Sequence, residues 1–179
     1  MDNKLHNLFE SSVIESSEVP ELALYMDQII TLIENSFASD RRNPQDKLLT
    51  KTMINNYSKD KLLQPIKGKK YSKEHVLMML MIYHLKSAIS IPDIKSFFDI
   101  LCPKTAENGE YISENVRELY DKFIDIRRST DDRLAEFIGD NCEDDTELFL
   151  TLVSLSSAAS TAAQRLLDNK KAEDKQKDN

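Results

Sequence analysis

Nine polar side chains between positions 51 and 70 carry the clearest chemistry in this chain. Asn55 and Asn56 are adjacent amides, and an amide can pair bidentately with the edge of an adenine. Lys51, Thr52, Lys59 and Lys61 surround them, and each can donate to a phosphate oxygen. Lys67, Lys69 and Lys70 follow, clustered about Gly68. The wider window from Arg41 to Lys73 adds Arg42 and Lys47, giving ten basic residues against two acids, Asp46 and Asp60. That is a surplus of eight in a chain of net charge −7, so the remainder carries −15. A strongly basic segment inside an acidic chain is the charge asymmetry of a local anion-binding surface. A solvated, lysine-rich face without a partner would give the same count.

Other constellations offer less. His6, His75 and His84 share no ligand spacing, and His84 sits among apolar residues as a core histidine would. Asp131-Asp132 and Asp144-Asp145 are paired carboxylates, but both suit the start of a helix, where the dipole favours negative charge. Ser156, Ser157 and Ser160 have no nearby histidine. Cys102 and Cys142 belong to no CxxC pair and read as thiols of a reducing compartment. No nucleophile elbow, phosphate loop or dinucleotide fingerprint occurs. The expectation is no enzyme, no metal and no cofactor.

The elements that must position the basic cluster follow from apolar spacing. Leu22, Tyr25, Met26, Ile29, Ile30, Ile33 and Phe37 recur every three to four residues, predicting a helix over 21–38 with Pro20 in its first turn. Residues 39–47, with Pro44, read as a loop. Thr50 is an N-cap for a helix over 51–59, whose inner face is Met53, Ile54 and Tyr57. Leu62 and Leu63 supply an apolar anchor. Residues 64–71 form a tight reversal in which Gly68 takes positive φ. Ser72 then caps a helix, Val76 to Leu85, that is apolar nearly all round and belongs at the centre of the core. Ser90 and Pro92 open another, with Ile94, Phe97, Phe98 and Leu101 on its inner side and Pro103 at its end. Residues 103–112 form a loop containing Gly109.

The C-terminal part is also helical in expectation. Ser113 opens a helix with Val116, Leu119, Tyr120, Phe123 and Ile126 on one face. A separate short segment carries Leu134, Phe137 and Ile138, stopped by Gly139. A last helix spans about 144–169, with Leu148, Leu152, Leu155, Ala159, Ala162 and Leu166 down one side. It is the candidate for a homodimer contact, the alternative being intrachain packing on 113–127. The charged residues 170–179 read as a disordered tail, and 1–20 as a polar segment in which Leu5, Leu8 and Phe9 suggest one short helix.

Composition bounds the class. With 179 residues, 40% of them hydrophobic and three glycines, the chain suits one mostly helical domain with an appended helical hairpin. Met1–Glu10 lacks a basic start and an apolar run of signal-peptide length. The longest apolar stretch, Val76–Tyr83, is far below the roughly 20 residues a membrane span needs. A cytoplasmic location without membrane contact is expected.

The run from Thr50 to Leu101, TKTMINNYSKDKLLQPIKGKKYSKEHVLMMLMIYHLKSAISIPDIKSFFDIL, resembles the winged helix-turn-helix head of MerR-type transcriptional regulators. Tyr57, Leu62, Leu63, the Lys69-Lys70-Tyr71-Ser72 run, Ser90 and Ile94 stand at the places that pattern sets. Asn55 stands where the pattern has arginine, and Lys61 where it has glycine. The Leu24–Gln28 run LYMDQ and the Thr50–Tyr57 run TKTMINNY give a closer resemblance, over most of the chain, to a bacterial family designated domain of unknown function 1836. The MerR resemblance implies an all-α (mostly) fold over 21–102: a winged helix-turn-helix core with a short basic β-hairpin wing at 64–71, followed by a helical segment over 110–169. It implies a DNA-binding transcriptional regulator with helix 51–59 in the major groove of double-stranded DNA and the wing on the backbone. An effector is left open. The competing expectation is a helical protein–protein interaction module that keeps the fold without DNA binding.

Overall fold

A computed structural model of the chain describes residues 8–9, 12–66, 68–102, 104–105, 110–142 and 144–177, with backbone alone at 139–141, 175 and 177. Among these, the elements are β1 (Leu24–Tyr25), α1 (Met26–Ser36), α2 (Lys51–Lys59), β2 (Lys70–Tyr71), α3 (Lys73–Leu85), α4 (Ile91–Leu101), α5 (Ser113–Asn141) and α6 (Asp145–Lys177). The protein is mostly helical with one small antiparallel sheet.

Residues 12–123 form one compact unit. Its centre is α3, where Val76 through Ile82 are all at 0% exposure. Ile29, Ile33 and Phe37 from the α1 segment, Ile54 from α2, Ile94 and Phe98 from α4, and Val116 and Tyr120 from α5 are likewise buried. The first turn of α3 buries Lys73, Glu74 and His75 as well, which costs free energy unless each is paired. Each is. Lys73 meets Glu21 at 2.6 Å, Glu74 receives Arg117 at 2.7 Å, and His75 bonds the Gln64 carbonyl at 3.2 Å. The Tyr120 hydroxyl donates to the Ile14 carbonyl at 2.5 Å.

The described residues from Ile124 on, with a short helical turn at Leu8–Phe9, make the other unit. Leu5 of the expected N-terminal helix lies outside the described residues. Ile124, Ala135 and Ile138 of α5 are buried there, whereas no described residue of α6 is.

Four local expectations are corrected. The first helix starts at Met26, not 21, because Leu24 and Tyr25 are extended and pair with Tyr71 and Lys70. The strand at 70–71 therefore finds its described partner in β1, 46 residues earlier, rather than in a local hairpin over 64–71. The helix opened by Ser113 runs unbroken through Gly139 to Asn141; one glycine costs about 1 kcal/mol in a helix, too little to stop 29 residues. Residues 170–177, expected as disordered tail, continue α6, with Lys170 paired to Glu173 at 2.8 Å.

Candidate nucleic-acid interface

Helix α2 divides into two faces by type. Ile54 and Tyr57 are buried and Met53 is half-buried, while Lys51, Thr52, Asn55, Asn56 and Lys59 are all exposed. At the α-helical pitch those five fall within an arc of about 140°. The helix is closed at both ends by its own sequence. Thr50 accepts the Met53 N–H on its side-chain oxygen at 3.2 Å, a cap worth about 1 kcal/mol. At the far end the Lys61 N–H reaches the Ser58 carbonyl at 3.1 Å and the Leu62 N–H the Tyr57 carbonyl at 2.9 Å. This is a Schellman closure, with Lys61 at φ +58. Glycine takes that left-handed position without strain, and here a lysine with an exposed side chain occupies it.

The sheet extends the cationic surface. Cross-strand neighbours share a face, so Tyr71, 3% exposed, and Leu24 turn inward while Tyr25 and Lys70 turn out. The Lys70 ammonium lies 5.1 Å from the centre of the Tyr25 ring, and Tyr25 is 51% exposed. Lys69 is exposed beside it, and Gly68 takes φ +73 in the preceding turn. Lys67 lies outside the described residues.

Three acids from outside the basic window draw down its surplus. Asp27 of α1 meets Lys51 at 2.7 Å, Glu34 pairs with Arg41, and Glu21 pairs with Lys73. The first of these is more than 60% exposed on both sides and is worth little in water, so Lys51 stays available to another anion.

Two groups hold this surface in place. The Glu34 carboxylate receives Arg41 and the Leu48 N–H at 2.9 Å, which fixes the segment that delivers α2. His75 accepts the Ser72 N–H on Nδ1 at 3.2 Å, and its Nε2 donates to the Gln64 carbonyl at 3.2 Å. The Gln64 side chain in turn donates to the Tyr111 carbonyl at 3.2 Å. The imidazole thus clips both ends of the 64–72 segment. Burial pushes its pKa below the usual value, outweighing the Gln64 carbonyl and the charges of Glu74 and Glu110.

Sequence reasoning named the lysines and asparagines but not Tyr25, Glu34 or the His75 clip. A two-residue strand has no alternation to detect, and the partners of Glu34 and His75 are backbone groups that no pattern of side chains announces. His84 is buried against Phe37, Tyr83 and Phe123, with ring centres 5.0–5.6 Å away. Among the described residues, no three of His, Cys, Asp and Glu stand together as a metal site, and no helix is long and apolar enough to cross a membrane.

The family described as "Domain of unknown function (DUF1836)" matches residues 14–123, and the chain belongs to that family. No curated protein and no solved structure matches the chain.

Proposed function

We propose that this member of the family is a DNA-binding transcriptional regulator of MerR-like type, docking double-stranded DNA on the outer face of α2. The observation that carries the reading is the single exposed arc holding Lys51, Thr52, Asn55, Asn56 and Lys59. A helix fits the major groove, and an asparagine there can read adenine. Lys61, Lys69 and Lys70, all exposed, would rest on phosphates and set the register. The order strand, helix, loop, helix, strand, helix, with the two strands paired, supports a winged helix-turn-helix organisation. The left-handed Lys61 supports it further, because it sets a cation at the end of α2 in a position where glycine would be less strained.

Fluorescence anisotropy with mixed-sequence duplex DNA across a salt series tests this. Micromolar binding that weakens steeply with salt, and falls at least tenfold in Lys69→Glu/Lys70→Glu, is the expected result. Absence of binding at low salt overturns it. One observation favours a second reading as an interaction module: Glu21, Asp27 and Glu34 neutralise part of the basic window. Co-purification of a partner protein that masks the α2 face would select that reading.

A further inference from the structure

Helix α6 is 33 residues long; among its described side chains none is buried, and Leu148, Leu152 and Leu155 are half-buried. Helices in proteins gain most of their stability from packing an apolar face, and α6 has such a face. Leu148, Leu152, Leu155, Ala159, Ala162 and Leu166 are spaced four, three, four, three, four, the a/d spacing of a coiled coil. Phe137 of α5 lines a groove with Leu150, Thr151, Leu155 and Ala158 near the start of α6. Beyond it the seam is open: Ala159 and Ala162 are exposed, and Leu166 is 63% exposed.

We propose that α6 pairs with α6 of a second copy of this chain, antiparallel and centred at the level of Ser157. Size and charge both select that occupant and that direction. The antiparallel register sets Leu148 against Leu166 of the second copy, Leu152 against Ala162, and Leu155 against Ala159. Every layer then contains a leucine and the seam has even depth. A parallel register would stack Ala159 on Ala159 and Ala162 on Ala162, leaving two successive hollow layers whose lining loses its packing contacts. The charges run the same way. One end of α6 carries Asp144, Asp145 and Glu147, a net −3; the other, over 165–177, carries five cations against Asp168, Glu173 and Asp174, a net +2, with Lys170 and Lys171 already paired to Glu173 and Asp168. Antiparallel pairing brings the acidic end to the basic end, whereas parallel pairing sets like on like. This inference does not rest on DNA binding, and its test contains no DNA.

Light scattering of the full chain at tens of micromolar should report about twice the 20.6 kDa of one chain. Ala162→Glu/Leu166→Glu should weaken self-association at least tenfold, with the far-ultraviolet spectrum and main unfolding transition retained because both side chains are exposed in the single chain. Direction is read by disulfide formation in a Cys142→Ser background carrying Leu148→Cys or Leu166→Cys. A mixture of the two variants should cross-link while each alone stays uncross-linked, since equivalent positions lie about 27 Å apart along the antiparallel pair at 1.5 Å per residue. A monomeric wild-type chain overturns the proposal, and so does self-cross-linking of each variant alone, which marks a parallel pair.

Discussion

Lys61 and His75 show how single side chains near the proposed interface trade stability against placement. Lys61 holds φ +58 at the end of α2. A β-carbon in the left-handed region costs roughly 1–2 kcal/mol, offset in part by the roughly 0.4–1 kcal/mol that glycine loses through its freer unfolded chain. Lys61→Gly should therefore raise the unfolding free energy by roughly 0.5–1 kcal/mol while weakening DNA binding, as urea titration and anisotropy together would show. His75 acts through a proton. Its folded pKa lies below the ordinary 6.5, so below about that pH the unfolded chain takes up a proton the folded imidazole refuses. The stability it supports is complete above 6.5 and declines as pH falls toward the folded value, by at most about 1.4 kcal/mol per pH unit. Glu21, Glu74 and Asp99 are held below their ordinary carboxylate values of 4.5, 4.5 and 3.8, so their losses come at lower pH. Urea unfolding at pH 7.5, 6.5 and 5.5 should show a slope in the wild type that is shallower in His75→Gln.

At the scale of elements, the delivery of α2 depends on Glu34. Removing its carboxylate leaves the Leu48 and Leu49 N–H groups without their acceptor and Arg41 with only the residue-34 backbone carbonyl. An unsatisfied buried donor costs about 1–3 kcal/mol, so Glu34→Ala should destabilise the fold by that order. It should also weaken DNA binding without touching the interface. Hydrogen exchange should locate the change in 41–50. The sequence made α2 legible to the residue, because Thr50 supplies the cap and Met53, Ile54 and Tyr57 the inner face within one short window. Helices α3 and α4 were equally legible from Ser72, Ser90 and Pro92. The small sheet was not, since β1 exists only through a partner 46 residues away. Nor was the continuity of α5, where Gly139 reads as a stop yet the backbone carries on to Asn141. The candidate site follows the same division: its exposed cations and amides were visible in the sequence, and the backbone contacts that place them were not.

For the whole molecule, the question is how an acidic chain would hold DNA. Residues 12–123 sum to −1 and the rest of the chain to −6, even though 41–73 alone is +8. The screening length decides which of these a phosphate feels. At about 0.15 M salt it is about 8 Å, so a phosphate on α2 senses chiefly the cation nearest it, Lys59 at one end or whatever remains of Lys51 after Asp27 at the other. At about 0.01 M it is about 30 Å, and acids throughout the unit contribute repulsion. Affinity should accordingly fall with salt between about 0.1 and 0.3 M with a logarithmic slope of roughly −3 to −4, at about −0.9 per phosphate contact. Below about 0.03 M the dependence should flatten. Asp27 is the acid placed to matter most, since it sits 2.7 Å from Lys51. Asp27→Asn should tighten binding several-fold and steepen the slope by about one contact. That gain should vanish in a Lys51→Ala background, because the two substitutions act through one ion pair. If Asp27→Asn binds no tighter than the wild type, Lys51 is not on the docking face, and the register of α2 on DNA must be moved toward Lys59.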